Sequence, residues 1–142
     1  MCHIYIDADS SGHISVIESV ARKHNVPVTI ICNVDHIFER TYADVKYVGK
    51  GPDEADFAIV NRCRQGDIVI TRDYGLAAMV LSKHAYAINP NGSEFTLGNI
   101  DALLFKRHIR KTYGGRRKSG IKVESYKPIG IRKALEEKLL AI

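Results

Sequence analysis

The sequence contains few cysteines, and the three that it has lie far apart. Cys2, Cys32 and Cys63 are scattered along 142 residues. An odd number of isolated cysteines argues against a disulfide framework, and the lack of a CxxC pair argues against a cysteine-based zinc site. The cytoplasm, a reducing compartment, is the simplest location for such a chain.

Long apolar runs are missing as well. No stretch approaches the ~20 apolar residues that a membrane-spanning helix needs. The N-terminus does not show the basic, apolar and small-residue succession of a secretory signal. We therefore expect no membrane association and no secretory signal. The length and the 45% content of hydrophobic residues suit one globular domain, residues 1–142.

Several familiar catalytic motifs are also absent. The six histidines show no HxxxH or HExxH spacing, which argues against a zinc hydrolase. The "GKG" at residues 49–51 lacks the spacing of a phosphate-binding loop, and we interpret it as a turn before a helix. Ser10 and Ser11 have no evident His and Asp partners, so we interpret them as helix caps.

The positive charge is concentrated near the C-terminal end. Residues 106–133 contain eleven basic residues and one acid, Glu124, which gives this segment a net charge of +10. Because the whole chain carries +5, the remainder carries −5. Such a distribution favours a polyanionic partner, although a solvated basic surface is the simpler alternative.

Strand-like and helix-like patterns alternate along the chain. The apolar periodicity predicts five strands, at 3–7, 26–32, 44–49, 67–71 and 85–89. It predicts helices at 13–24, 52–66, 75–84, 97–113 and 129–141, a short helix at 36–42, a turn at "NPNGS" and a basic loop at 114–120. This order predicts an α/β domain with a mainly parallel sheet and helices on both faces. Its basic loop and C-terminal helix occupy about residues 106–142.

Acidic residues follow the predicted strands at the edge where such sheets bind ligands. Asp7 and Asp9 follow the first strand, Asp73 follows the fourth, and Asp53 and Asp56 open the helix after the third. Each acid taken singly could instead cap a helix. A cluster of carboxylates is electrostatically costly, and Mg²⁺ or Mn²⁺ is the usual compensation because these cations prefer oxygen ligands.

These residues resemble the pattern of PIN-domain nucleases. Asp7 matches the first-strand aspartate of that family, Asp56 matches an acid that opens a helix, and Thr71 and Asp73 match its Thr-x-Asp after a strand. More narrowly, "IDADSSG", "INPNGSEFT" and the "GGRRKSG" stretch resemble the YaiI/YqxD family of small bacterial PIN-like proteins. The usual Cys-Pro of that family is replaced here by Ser10 and Ser11. Glu39 is the candidate for a further glutamate found in many PIN nucleases.

The resemblance implies a PIN-like three-layer sandwich and a metal-dependent nuclease acting on RNA rather than DNA. Asp7, Asp9, Asp56 and Asp73 would be the catalytic and metal-binding acids, with Asp53 and Thr71 in support. The basic residues would hold the nucleic-acid backbone: Lys106, Arg107, Arg110, Arg116, Arg117 and Lys118. Two alternatives are a non-catalytic nucleic-acid-binding protein with a vestigial acidic site and one half of a toxin–antitoxin-like pair. A homodimer is left open.

Overall fold

The computed structural model describes residues 2–7, 13–33, 42–51, 53–112 and 130–142, with only the backbone of 107–112. The basic loop predicted at 114–120 lies outside this part, as does nearly all of the short helix predicted at 36–42. None of the described helices is both long enough and apolar enough to cross a membrane.

In the part of the chain that the structure describes, six strands form one sheet in the order β3-β2-β1-β4-β5-β6. The first five pair in parallel, as predicted, and β6 pairs with β5 in antiparallel orientation. The sequence did not predict β6, because two residues are too few to show an alternating pattern. The strands are β1 (Ile4–Asp7), β2 (Val28–Asn33), β3 (Asp44–Val48), β4 (Ile68–Ile70), β5 (Tyr86–Ile88) and β6 (Glu94–Phe95).

The described residues contain five helices, which surround the sheet: α1 (Ile14–Lys23), α2 (Glu54–Arg62), α3 (Tyr74–Ser82), α4 (Leu97–Thr112) and α5 (Ile131–Ala141). The prediction that α2 continues to residue 66 was wrong. Cys63 has an extended backbone, and the carboxylate of Asp67 accepts a hydrogen bond from the Arg64 backbone N–H at 2.9 Å. This local bond offers the backbone an alternative to another helical turn.

The pleat of the strands divides the core into two apolar layers. Ile4 and Ile6 of β1 face the layer that contains α1 and α5. Tyr5 faces the opposite layer, which contains buried residues of α2, α3 and α4. Because successive strand residues point to opposite faces, alternate positions of β1 serve both layers. The result is the predicted three-layer sandwich with a central, mainly parallel sheet, consistent with a PIN-like fold.

A contact between two glycines attaches α5 to the carboxyl edge of the sheet. Gly92 lies in the turn after β5, where its N–H donates to the Asn89 carbonyl at 2.8 Å. Gly130 precedes α5 and lies directly against Gly92, so a Cβ on Gly92 would be 2.5 Å from the Gly130 carbonyl carbon. Glycine at position 92 is therefore required twice, by this close approach and by its φ of +99°.

We expect Gly92→Ala to destabilise the fold more than Gly66→Ala. Both glycines have positive φ, at +99° and +87°, so alanine at either position should cost about 1–2 kcal/mol of backbone strain. A Cβ on Gly66 meets nothing within 4 Å, whereas one on Gly92 overlaps the Gly130 backbone. The overlap should add roughly 1–3 kcal/mol, measurable by urea unfolding. Equal losses for the two variants would contradict the close packing of Gly92 on Gly130.

Candidate functional site at the carboxyl edge

The order of the strands reverses at the centre of the sheet, between β1 and β4. Strands β1 and β4 lie side by side, but β1 leads through α1 to β2 on one side, and β4 leads through α3 to β5 on the other. This reversal makes the carboxyl ends of β1 and β4 the topological switch point of the sheet. Open α/β sheets bind their ligands at such switch points.

Asp7 occupies this point as the last residue of β1. Its side chain is almost fully buried, at 5% exposure. Alternation along β1 places it on the same face as Tyr5, the face covered by α2. The Thr71 hydroxyl donates a hydrogen bond to Asp7 Oδ2 at 3.0 Å. This bond offsets part of the cost of burying a carboxylate.

Thr71 connects Asp7 to the second acid, Asp73. Thr71 is completely buried just after β4, and its own N–H donates to the Ile88 carbonyl at 3.1 Å. Its Oγ1 accepts a hydrogen bond from the Asp73 backbone N–H at 3.0 Å. One hydroxyl therefore donates to Asp7 and accepts from Asp73, which fixes the two acid-bearing segments relative to each other.

Asp73 is also the N-cap of α3. Its Oδ1 accepts from the backbone N–H groups of Gly75 at 2.8 Å and Leu76 at 3.2 Å. The capping alternative considered for Asp73 is thus confirmed, and it coexists with a place at the carboxyl edge. The cap holds the carboxylate in one orientation, because one of its oxygens is bound to two amides.

Asp56 lies at the same end of the sheet as Asp7. It is half-buried in the first turn of α2, and the Tyr5 hydroxyl donates to the Arg62 carbonyl at the other end of that helix at 3.2 Å. Asp7 lies roughly 7 Å from Tyr5 along β1, and Asp56 lies roughly 9 Å from Arg62 along α2. Both acids therefore lie at similar distances from the Tyr5–Arg62 hydrogen bond. Since α2 runs in the opposite direction to β1, both lie near the carboxyl edge.

The remaining predicted site residues lie on the helices or outside the described part of the chain. Asp53 is exposed at the N-cap position of α2 with a φ of +66°, and its side chain makes no capping hydrogen bond. Lys106 is half-buried on α4, and Arg107 and Arg110 follow on the same helix. Four predicted residues lie outside the described part of the chain: Asp9, Arg116, Arg117 and Lys118.

Asn33 is a polar residue at this edge that the sequence analysis missed. It ends β2, and it lies two residues beyond Ile31, which pairs with Asp7. Residues two apart on a strand share a face, so Asn33 is on the same face as Asp7. The signal in the sequence was slight: a single polar residue directly after the apolar run "VTIIC".

The described acids do not form a complete ligand set for a metal ion. No three His, Cys, Asp or Glu side chains within the described ranges are grouped so that they could hold an ion. Asp7, Asp56 and Asp73 are therefore not brought together as a complete ligand set. The donor chemistry nevertheless fits Mg²⁺ or Mn²⁺, because Mg²⁺ commonly takes one or two carboxylates and completes its shell with water and substrate phosphate.

Thiol chemistry is not supported at this site. Cys2, Cys32 and Cys63 are all free, and Cys32 and Cys63 are buried. Burial, aided by the negative charge of Asp67, raises the pKa of the Cys63 thiol to about 11. Since the thiolate is the reactive form, this thiol is poorly suited to nucleophilic or redox chemistry at neutral pH.

Comparison with known proteins identifies the family. The family model described as "Uncharacterized BCR, YaiI/YqxD family" matches residues 5–139. The chain belongs to the YaiI/YqxD family. The match covers β1 to α5 and therefore includes every element that builds the carboxyl edge. No solved structure matches the chain.

Curated relatives from several bacteria are similar over most of the chain. A UPF0178 protein of Clostridium tetani is 46% identical over 134 residues, covering 94% of this chain and 86% of the relative. A UPF0178 protein of Clostridium acetobutylicum is 48% identical over 108 residues, covering 76% and 73%. One from Natranaerobius thermophilus is 44% identical over 108 residues, covering 76% and 74%. The predicted resemblance to the YaiI/YqxD family is confirmed.

We expect Thr71→Val to be more destabilising than Thr71→Ser. Valine keeps the volume but removes the donor to buried Asp7 and the acceptor for the Asp73 N–H, which should cost about 1–3 kcal/mol for each hydrogen bond lost. Serine keeps the hydroxyl and loses one methyl group, at a cost of about 1 kcal/mol. The free energy of unfolding of both variants tests this order. If valine were tolerated as well as serine, the hydroxyl would not be a structural link between the acids.

Proposed function

We propose that this protein is a Mg²⁺- or Mn²⁺-dependent nuclease that hydrolyses RNA at the carboxyl edge of its sheet. The observation that carries the proposal is the hydrogen-bonded connection from Asp7 through Thr71 to Asp73 at the switch point. It fixes two acids from neighbouring strands where α/β sheets bind ligands. The resemblance to PIN-domain nucleases supports the same reaction class.

The residues of the chain would divide the work as follows. Asp7 and Asp73 would hold a cation, with Asp56 and Asp9 as further ligands or as acceptors for its bound waters. The cation would supply Lewis-acid activation of water and of the phosphodiester. Thr71 would position the site rather than react, because its hydroxyl holds Asp7 and the Asp73 backbone in place. Asp53 would add negative charge at the rim.

The basic segment would hold the RNA backbone without reading its sequence. Lys106, Arg107 and Arg110 lie on α4, and Arg116, Arg117 and Lys118 follow in the chain. Gly130, the first described residue after the basic segment, lies against the turn after β5 at the carboxyl edge. Anchoring the end of a basic segment there favours a partner with many phosphates, bound largely by charge. We also propose a cytoplasmic location, since the cysteines are free.

The second candidate function is non-catalytic binding of nucleic acid. It is favoured by one observation: within the described ranges, no group of three potential ligands could hold an ion. Under this alternative the acids at the carboxyl edge serve the fold, as Asp73 does in capping α3.

Asp7→Asn and Asp73→Asn test the proposal with little structural change. Asparagine caps helices about as well as aspartate, so Asp73→Asn should keep α3 while removing a negative charge. We expect the parent to cleave single-stranded RNA in millimolar Mn²⁺ and not in chelator. Each variant should lose about 100-fold or more in rate while still binding RNA. Asp101→Asn changes an exposed acid of α4 and should cleave like the parent.

The outcomes separate the two candidate functions. RNA binding by the parent with no cleavage in Mg²⁺ or Mn²⁺ would favour the non-catalytic binder. Cleavage that survives both substitutions would place the active site elsewhere. Melting temperatures of all variants, measured in parallel, show whether a lost activity reflects a lost fold.

A further inference from the structure

The two outermost strands of the sheet, β6 and β3, differ in length and in their contacts. At one edge β6 is two residues long, and its backbone is partly engaged: the Glu94 carbonyl accepts a hydrogen bond from Asn99 Nδ2 at 3.0 Å. The Glu94 carboxylate also pairs with Lys138 of α5 at 2.8 Å. Short edge strands engaged by the chain's own groups resist further pairing.

The other edge is a longer and more regular strand. β3 has five residues, Asp44–Val48, without proline or glycine. Across the described ranges it pairs with β2 alone, so one row of its backbone N–H and C=O groups has no strand beside it. Such an edge is a template for another strand unless charge or shape prevents pairing.

The two charged side chains of β3 lie on the face of the sheet opposite to Val45 and Tyr47. Val45 pairs with Ile30 of β2 and lies on the α1 side of the sheet, together with Tyr47. Asp44 and Lys46 are exposed and share the other side. Tyr47 is 49% exposed, which leaves a large apolar ring at the edge. The strand therefore offers one acid, one base and one aromatic ring to a neighbour.

We propose that two copies of this chain join through β3, by antiparallel pairing centred on Val45. In this register Asp44 of each copy lies opposite Lys46 of the other, which gives two attractive pairs, and Val45 lies opposite its counterpart. Opposite charges at directly facing positions stabilise antiparallel strands, and like charges destabilise them.

Neighbouring registers are less favourable. Centring the pairing on Lys46 sets Lys46 against Lys46, and centring it on Asp44 sets Asp44 against Asp44. Centring it on Tyr47 stacks the two rings but matches no charges within the strand. Registers between these would place side chains of opposite faces against each other, which the pleat does not allow. Charge therefore selects the register centred on Val45.

The dimer should be weak and dependent on concentration. A seam of a few residue pairs falls at the small end of protein interfaces, so we expect a dissociation constant on the order of 100 µM. Two-fold pairing reverses the strand direction in the second copy. The described strands of both copies then form one continuous twelve-stranded sheet. The two carboxyl edges face in opposite directions along the strand axis, so both candidate sites stay accessible. This arrangement is independent of the proposed nuclease activity.

Charge exchange across β3 tests the proposal. Sedimentation of the full chain from about 10 µM to 1 mM should show a monomer–dimer equilibrium. Asp44→Lys alone and Lys46→Asp alone create like-charge pairs, so each should weaken association about tenfold or more. The double variant Asp44→Lys/Lys46→Asp restores both attractive pairs and should dimerise like the parent. Lys133→Asp makes the same charge change as Lys46→Asp on the exposed surface of α5 and should not alter association.

Three results would overturn the proposal. They are a parent that stays monomeric up to 1 mM, single variants that associate as strongly as the parent, and a double variant that fails to recover. Circular dichroism melts confirm that each variant is folded.

Discussion

The hydrogen bond between the Thr71 hydroxyl and buried Asp7 is the interaction on which the carboxyl edge depends. Asp7 ends a strand at the centre of the sheet, where burial would penalise an isolated carboxylate. Thr71 supplies a donor from the neighbouring strand end and, through the same oxygen, holds the Asp73 backbone. A buried acid is thus retained at the topological switch point of the sheet, although an apolar residue would be easier to accommodate.

The surrounding structure keeps this arrangement rigid. Asp73 is fixed a second time by its cap on α3, and Tyr5 holds the far end of α2 so that Asp56 lies near the same edge. The Gly92–Gly130 contact attaches the start of α5 to this edge.

Much of this architecture was predictable, because long apolar periodicities determine which segments form strands and helices. The parallel strands, the Asp73 cap and the family followed from such patterns and motifs. The short β6, the early end of α2 and the position of Asn33 did not. Each depends on contacts between distant residues or on elements too short to show a period. The Thr71 bond to Asp7 joins residues 64 positions apart, so only the resemblance suggested that Thr71 matters.

The most direct test of the account is to locate bound Mn²⁺ by paramagnetic broadening of backbone amide signals in the full chain. The account predicts strong broadening for Asp73 and Gly75 at the carboxyl edge. It predicts little for His3 and Ile68 at the opposite edge, and loss of the broadening in Asp7→Asn. Equal broadening at both edges, or none at millimolar Mn²⁺, would contradict a metal site built on Asp7 and Asp73.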